Sequence, residues 1–357
     1  MKTQAYQVTC PAPREVWNRL LKSYPKALIS QTPVWIDCIC AMGGYEDASR
    51  LYETSEGKQL VLPMVRRKNL PKALTSEASL SRGWGMGGIV APGAVQAEDV
   101  AVVLEDLAGR SVLCTSIRPN LLNSKAWATA RIPAGVLAIP HLHHVLNLES
   151  GFKLVWAKRF DGTRRRNVRK AERSRLVVEC DTTGKLVPVF YDLYLRWTDR
   201  RAQERHLPLL LARWLARRRD PLRKFQLVSR EFGEACRIWV AWLDGQPAAA
   251  SILLIHGENS SYWRGASDKE LAGPTRANDL LQRLMIEDAC RAGCRYYDMG
   301  ESGGVPSLMH FKSKFGALPH HFTEYRLESL PITSVQEWFH GYAKRIEEQL
   351  IRAGRRK

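Results

Sequence analysis

No stretch of this 357-residue chain comes near the roughly 18 uncharged apolar residues that cross a bilayer, so the sequence offers no membrane span. Its first residues, Met1-Lys-Thr-Gln-Ala-Tyr-Gln, lack the apolar run of a secretory leader, which makes the cytoplasm the expected location. Paired cysteines are also missing. The eight cysteines are scattered and form no Cys-x-x-Cys, and Cys290 and Cys294, four apart at a helix end, read as packing groups. Scattered thiols fit a reducing compartment. There is no His-Glu-x-x-His, so a zincin site is not expected. His141, His143 and His144 cluster without a metal-binding spacing and read as surface groups alternating on a strand. Acid is scarce too: 36 Asp and Glu against 54 Lys and Arg leave a net charge of +18. An excess of that size attracts polyanions, or serves solubility alone. With 45% apolar and 25% charged residues, the chain is otherwise an ordinary globular protein, long enough for two domains.

The first half has its own fold signals. A short amphipathic helix spans Pro13 to Tyr24, and Thr32 and Pro33 are placed as N-cap and first residue of a second helix. Residues 48–53 and 58–65 read as a hairpin. Gly83-Trp-Gly-Met-Gly-Gly is a glycine-rich loop, followed by a helix near 97–107 and a strand at 111–117. Residues 141–148 are strand-like and mark the crossing into a second domain that shares an interface with the first. The expected division is 1–148, 149–328 and a C-terminal amphipathic helix within 329–357, in which Val335, Trp338, Phe339, Tyr342 and Ile346 recur at helical spacing.

Two basic runs stand out. Lys158 to Arg175 reads KRFDGTRRRNVRKAERSR. If Thr163 caps a helix, Arg166, Arg169, Lys170 and Arg173 share one face. Such a stripe is either solvated or occupied by an anion. The second run, Arg196 to Lys224, interleaves Trp197 and Trp214 with arginines around an apolar patch at 207–211. Those tryptophans can stack on bases or anchor two helices joined at Pro208.

The clearest organisation lies between Trp239 and Ala317. WVAWL turns at Asp244-Gly245, ASILLIH turns at Gly257-Glu258-Asn259, and SYWRGAS is a third strand. A helix from about Ala277 to Ala292 leads to the strand Arg295-Tyr-Tyr-Asp-Met-Gly, and then comes the block His310-Phe-Lys-Ser-Lys-Phe-Gly-Ala. This meander-helix-strand order resembles the core of the GNAT acyltransferase fold. The block, together with Arg165-Arg-Asn-Val-Arg-Lys-Ala-Glu, Ser30-Gln-Thr-Pro-Val-Trp, Phe190-Tyr-Asp-Leu-Tyr, Ser261-Tyr-Trp and Tyr297-Asp-Met-Gly, resembles the Fem-like double-GNAT transferases over most of residues 28–328.

That resemblance implies an α/β protein of two tandem GNAT-like domains, each on its own mixed sheet, with the acceptor in the cleft. The reaction it implies is transfer of an amino acid from aminoacyl-tRNA to an amine. Carried over, Phe311 lies beside the tRNA 3′ end and Lys312 stabilises charge near the reacting ester. Asp298 could orient Lys312 or take the amine's proton, or be a turn residue. Arg166, Arg169, Lys170, Arg173 and Arg276 are candidates for the donor, and Trp35, Tyr262 and Trp263 for the acceptor. After Trp35 the chain reads Ile-Asp-Cys-Ile-Cys, with no Lys or Arg before Arg50, where cell-wall members place a lysine. A small peptide or natural-product intermediate therefore stands beside a peptidoglycan precursor as acceptor. No metal or bound cofactor is expected, and a two-domain monomer fits.

Two alternatives stay open. Acyl-CoA could be the donor, although the junction Leu271-Ala-Gly-Pro-Thr-Arg-Ala-Asn-Asp lacks the second glycine of a pyrophosphate loop and puts Pro274, which has no N–H, after Gly273. A non-catalytic RNA-binding protein would explain the charge but not the Phe-Lys-x-x-Phe-Gly block.

Overall fold

The structure, a computed structural model, describes residues 6–80 and 83–333. The expected C-terminal helix lies outside them. In the first half the strands are β1 (Tyr6–Thr9), β2 (Tyr45–Asp47), β3 (Arg50–Thr54), β4 (Gln59–Leu62), β5 (Val65–Arg67), β6 (Ser76–Ser79), β7 (Cys114–Ile117) and β8 (Leu137–Asn147). The helices among them are α1 (Arg14–Lys22), α2 (Pro33–Ala41), α3 (Ala97–Ala108) and α4 (Ser124–Thr129). The second half continues with α5 (Gly151–Leu154), a π-helical turn, α6 (Gly162–Glu172), β9 (Leu176–Asp181), α7 (Val187–Glu204), α8 (Leu209–Arg219) and α9 (Leu222–Phe232). Then follow β10 (Cys236–Leu243), β11 (Gln246–His256), β12 (Asn259–Ser267), α10 (Lys269–Thr275), α11 (Ala277–Arg291), β13 (Tyr296–Glu301), α12 (Pro306–Ser313) and β14 (Leu318–Glu328).

Local chemistry explains the boundaries. The Thr32 side chain accepts the Trp35 N–H and Pro33 opens α2, as the sequence indicates. Asp244 and Gly245 both take positive φ, 49° and 78°, the conformation a two-residue hairpin needs between β10 and β11. Asp161, not Thr163, caps α6: its carboxylate accepts the Thr163 N–H at 2.7 Å. An ionised side chain two residues earlier meets the helix N-terminus better than the threonine hydroxyl. The basic face of α6 is unaffected by this correction.

The sheets differ from the expected pair. Besides a small β1-β3-β4 sheet, one eleven-stranded mixed sheet runs β2-β5-β6-β7-β14-β8-β13-β12-β11-β10-β9. The halves exchange their last strands. β8, the end of the first half, pairs with β13 of the second, at Tyr296↔Asn147 and onward. β14, the end of the second half, lies between β8 and β7, with Leu318↔Val145 at one end and Glu328↔Cys114 at the other. Each exchange satisfies an edge that a separate sheet would leave open. The tandem organisation stands, with its two mixed sheets fused. A core beneath α11 is built on Leu281, Met285 and Ile286 against Leu253 and Tyr297, while another joins α1 and α2 of the first half to α7 and α9 of the second.

Candidate active site

The cleft arises where two parallel strands part. β12 and β13 pair over three positions only, Asn259↔Tyr296 to Ser261↔Asp298. β12 then stays with β11 to Ser267, while β13 bulges against β8 between Asp298 and Glu301. The gap encloses about 960 Å³ and is closed by the glycine-rich loop, the turn before α2, α7, the end of α8 and α12. Trp35, Tyr262, Trp263, Asp298, Phe311 and Lys312 all line it.

Lys312 sits on α12 and is 3% exposed. Its ammonium donates to the carbonyls of Gly300 at 2.7 Å and Glu301 at 3.0 Å. Both acceptors are neutral, and one of its three N–H groups has no protein acceptor among the described residues. Burial pulls its pKa down to about 8, against Asp298 and Glu301, which raise it. Asp298 does not orient Lys312 by a hydrogen bond. Its carboxylate faces His143 Nδ1 at 3.0 and 3.1 Å and accepts the Gly300 N–H at 2.7 Å. Burial works to raise the Asp298 pKa, but His143, the Gly300 N–H and Lys312 together hold it below the ordinary value.

The histidines are not surface groups. His143 and His144 are buried, and only a few percent of the His141 side chain is exposed. His141 and His143, two apart on β8, face the same side of the sheet, and His144 meets the Ser302 hydroxyl at 2.9 Å. His141 lies between Glu301 at 2.8 Å and Glu324 at 3.1 Å, with Arg118 donating to Glu301 at 2.8 Å. The bonds to Glu301 and Glu324 raise its pKa. His143 also lines the cleft. With Nδ1 turned to Asp298, its Nε2 is the nitrogen left to accept a proton. Alternation of His141 and His143 was the one sequence signal for this. The paired acids lie 155 residues or more away in the chain.

The Phe-Lys-x-x-Phe-Gly block divides by role. Phe315 is fully buried against Phe160, and Gly316, at φ 85°, packs so closely on Arg159 that a Cβ would strike its backbone. Those two residues seat α12. Phe311 and Lys312 face the cleft, and the Arg164 guanidinium lies 4.7 Å from the Phe311 ring centroid. Arg164 also pairs with Asp279 on α11 at 2.5 Å. On the side of α6 away from Arg164, Arg166, Arg169, Lys170 and, at the C-cap, Arg173 are exposed, and among the described residues no acid pairs with them. They do not line the cleft. Arg276 is exposed at the start of α11, with φ 61°, and also lies outside the cleft lining.

On the acceptor side the picture is mixed. Trp35 is a core residue whose Nε1–H donates to the Trp84 carbonyl at 2.8 Å, so only ring surface reaches the cleft. The Tyr262 hydroxyl occupies the space over Gly265, where any Cβ would overlap it. Trp263 is packed against Trp35 and Phe225. Trp197 lines the cleft, stacked on Tyr194, whereas Trp214 is largely exposed and anchors no core.

A charged cluster unmarked by any sequence motif stands behind this wall. Asp220 and Lys224 have no exposed surface. Lys224 donates to Asp220 at 2.7 Å and to the Gly83 carbonyl at 2.6 Å, tying α9 to the glycine-rich loop. Arg264 and Arg219 also reach Asp220, each at 3.0 Å. Burial works to raise the Asp220 pKa, and Arg264 and Lys224 overcome it, so the carboxylate is held far below its usual range. Arg201, Arg219 and Arg264 line this end of the cleft around the single acid Asp220.

The junction that would hold a pyrophosphate if acyl-CoA were the donor has its side chains bonded locally. It is helical as α10, with Pro274 inside; the Thr275 hydroxyl donates to Leu271 O at 2.6 Å, and Asn278 to Ser267 at 3.2 Å. Asp279, buried in the first turn of α11 and paired with Arg164, already occupies the helix N-terminus that an anion would use.

Residues 158–313 match the acetyltransferase (GNAT) domain family. The chain is an acyltransferase with the Fem-like double-GNAT fold. Its fold is similar to the crystal structure of FemX, with a TM-score of 0.65 at 14% identity over 92% of this chain and 99% of that one. A Bacteroides thetaiotaomicron protein of unknown function gives 0.54 at 11% identity, over 89% and 99% of the two chains. A tandem GNAT protein from the clavulanic acid biosynthesis pathway gives 0.50 at 14% identity, over 92% and 99%. At these identities the likeness concerns the fold. No curated protein matches the sequence.

Proposed function

We propose that the protein forms an amide between a tRNA-borne amino acid and an amine acceptor bound in the cleft. The observation that carries this reading is a buried ammonium with an N–H to spare beside an aromatic ring in the cleft: Phe311 and Lys312 face the cleft and Arg164 covers Phe311, while Arg166, Arg169, Lys170 and Arg173 face solvent on the other side of the same helix and its C-cap. A terminal base can stack on Phe311 while the backbone of the acceptor arm tracks α6. The filled start of α11 speaks against CoA as donor.

The ester is already activated, so position and charge stabilisation suffice and no covalent nucleophile is needed. The acceptor nitrogen attacks the ester carbonyl carbon. The spare N–H of Lys312 donates to the carbonyl oxygen as negative charge builds there, a contribution of about 3–4 kcal/mol for one well-placed donor. His143 Nε2 takes the proton of the attacking amine, with Asp298 fixing the ring through Nδ1. As the carbon–oxygen bond to the terminal ribose breaks, that proton passes to the leaving oxygen. The arginines around Asp220 suit an acceptor that also carries a carboxylate or phosphate.

The experiment is to incubate the protein with a pool of charged tRNAs and candidate amines, and in parallel with acetyl-CoA and the same amines. Consumption of one aminoacyl ester that depends on an added amine is expected. Full activity with acetyl-CoA and none with any charged tRNA would overturn the reading.

A further inference from the structure

The middle of the second basic run, Leu207 to Arg218, forms a surface that the reaction does not use. α8 is an eleven-residue helix with one buried residue, Ala216, which faces α7. Helices this short owe their stability to burying an apolar face, yet here Leu207, Leu209, Leu210, Leu211, Trp214 and Leu215 are all exposed, Leu210 at 82% and Trp214 at 54%. Leu210, Leu211 and Trp214 fall at i, i+1 and i+4, and Arg217 and Arg218 at i+7 and i+8, so apolar and basic groups share the outward side. From Arg205 to Arg219 there is no acidic residue. Arg213 is neutralised by Asp199 at 2.6 and 2.7 Å, whereas Arg217 and Arg218 have no acidic partner among the described residues. Arg218 lies over the Trp214 ring at 5.2 Å.

We propose that α8 and the tip of the α7–α8 hairpin dock on an anionic lipid surface. The charge and the apolar groups select this occupant together. Aliphatic and indole side chains enter the boundary between headgroups and acyl chains, while the flanking guanidinium groups meet lipid phosphates. Trp214 beside Arg218 could serve RNA as one stacking platform, but the five exposed leucines around it gain nothing from a phosphate backbone. α6 has that other character, with basic side chains and no exposed large apolar one. Arg219, at the end of α8, lines the cleft, so the docked face adjoins one wall of the site. This inference does not depend on the donor, and it can fail while the aminoacyl reading stands.

The test is co-sedimentation of the full chain with vesicles of phosphatidylglycerol and phosphatidylcholine, against phosphatidylcholine alone. Binding to the anionic vesicles only is expected. Leu210→Glu with Trp214→Glu should weaken it by about tenfold or more, with an unchanged melting temperature because both side chains are already exposed. Arg217→Gln with Arg218→Gln should weaken it less and reduce its salt sensitivity. No anionic-vesicle binding, or binding that the Leu210/Trp214 variant retains in full, overturns the proposal. So does a Leu210/Trp214 variant that loses tRNA binding, or turns a dimer into a monomer, while keeping its vesicle binding.

Discussion

Two lysines are buried beside the cleft, and their surroundings assign them opposite work. Lys224 is sealed: one bond goes to a carboxylate, one to the Gly83 carbonyl, and the Trp84 and Trp263 rings lie 4.5 and 5.4 Å from its Nζ. It is absent from the cleft lining, and its charge is spent on Asp220. Lys312 is bonded only to neutral carbonyls, keeps one N–H unassigned, and borders the cleft. A buried ammonium matched by a carboxylate is an anchor. One held by carbonyls keeps its charge for something that arrives.

Breaking the anchor should have the largest effect on stability. Asp220→Ala leaves Lys224, Arg219 and Arg264 crowded together without a countercharge, and loss of one partner of a buried ion pair costs about 3–5 kcal/mol. Denaturant unfolding checks this, and a loss under about 1 kcal/mol would mean that solvent reaches the cluster. The contrast sharpens with Lys312→Met, which should lower turnover by about 10²–10³-fold while destabilising the fold far less than Asp220→Ala does. Lys224→Met should show the reverse pattern.

His143→Gln comes next. It should lower turnover by about 10²-fold, the lower end for losing a positioned base, with little change in acceptor KM. The pH profile then tests the state of Lys312. Its folded pKa is lowered to about 8, so the ammonium is present below that value and lost above it. Activity that needs the ammonium falls as pH rises through about 8. Lys312→Arg, if it keeps measurable turnover, should lose that alkaline limb because a guanidinium does not deprotonate there.

Much of this contrast was hidden in the sequence. The turns at Asp244-Gly245, the Thr32-Pro33 cap and the Phe-Lys-x-x-Phe-Gly block are local, and each shows directly in the order of residues. The strand exchange is not local: β8 and β14 look like ordinary ends of two units, and nothing in either says which neighbour it will take. His143 reads as a strand histidine until Asp298 arrives beside it from 155 residues away. Asp220 and Lys224, four apart among many arginines, look like a solvated helix pair, although the fold removes both from water.

The smallest effect expected concerns α6. Arg166→Ala with Arg169→Ala should weaken tRNA binding broadly and flatten the log–log salt dependence by about 1.5, two phosphate contacts at about 0.7–0.9 each. Unchanged affinity and slope would leave the stripe as a solvated face and remove the donor path from the account.

The central claim is that the ammonium of Lys312 acts on an aminoacyl ester in this cleft. Single-turnover transfer from a charged tRNA, compared between the wild-type chain and Lys312→Met at saturating acceptor, tests it most directly. The account predicts amine-dependent loss of the ester in the wild type and a rate about 10²–10³-fold lower in the variant, with tRNA affinity nearly unchanged. Equal rates in the two proteins would contradict it.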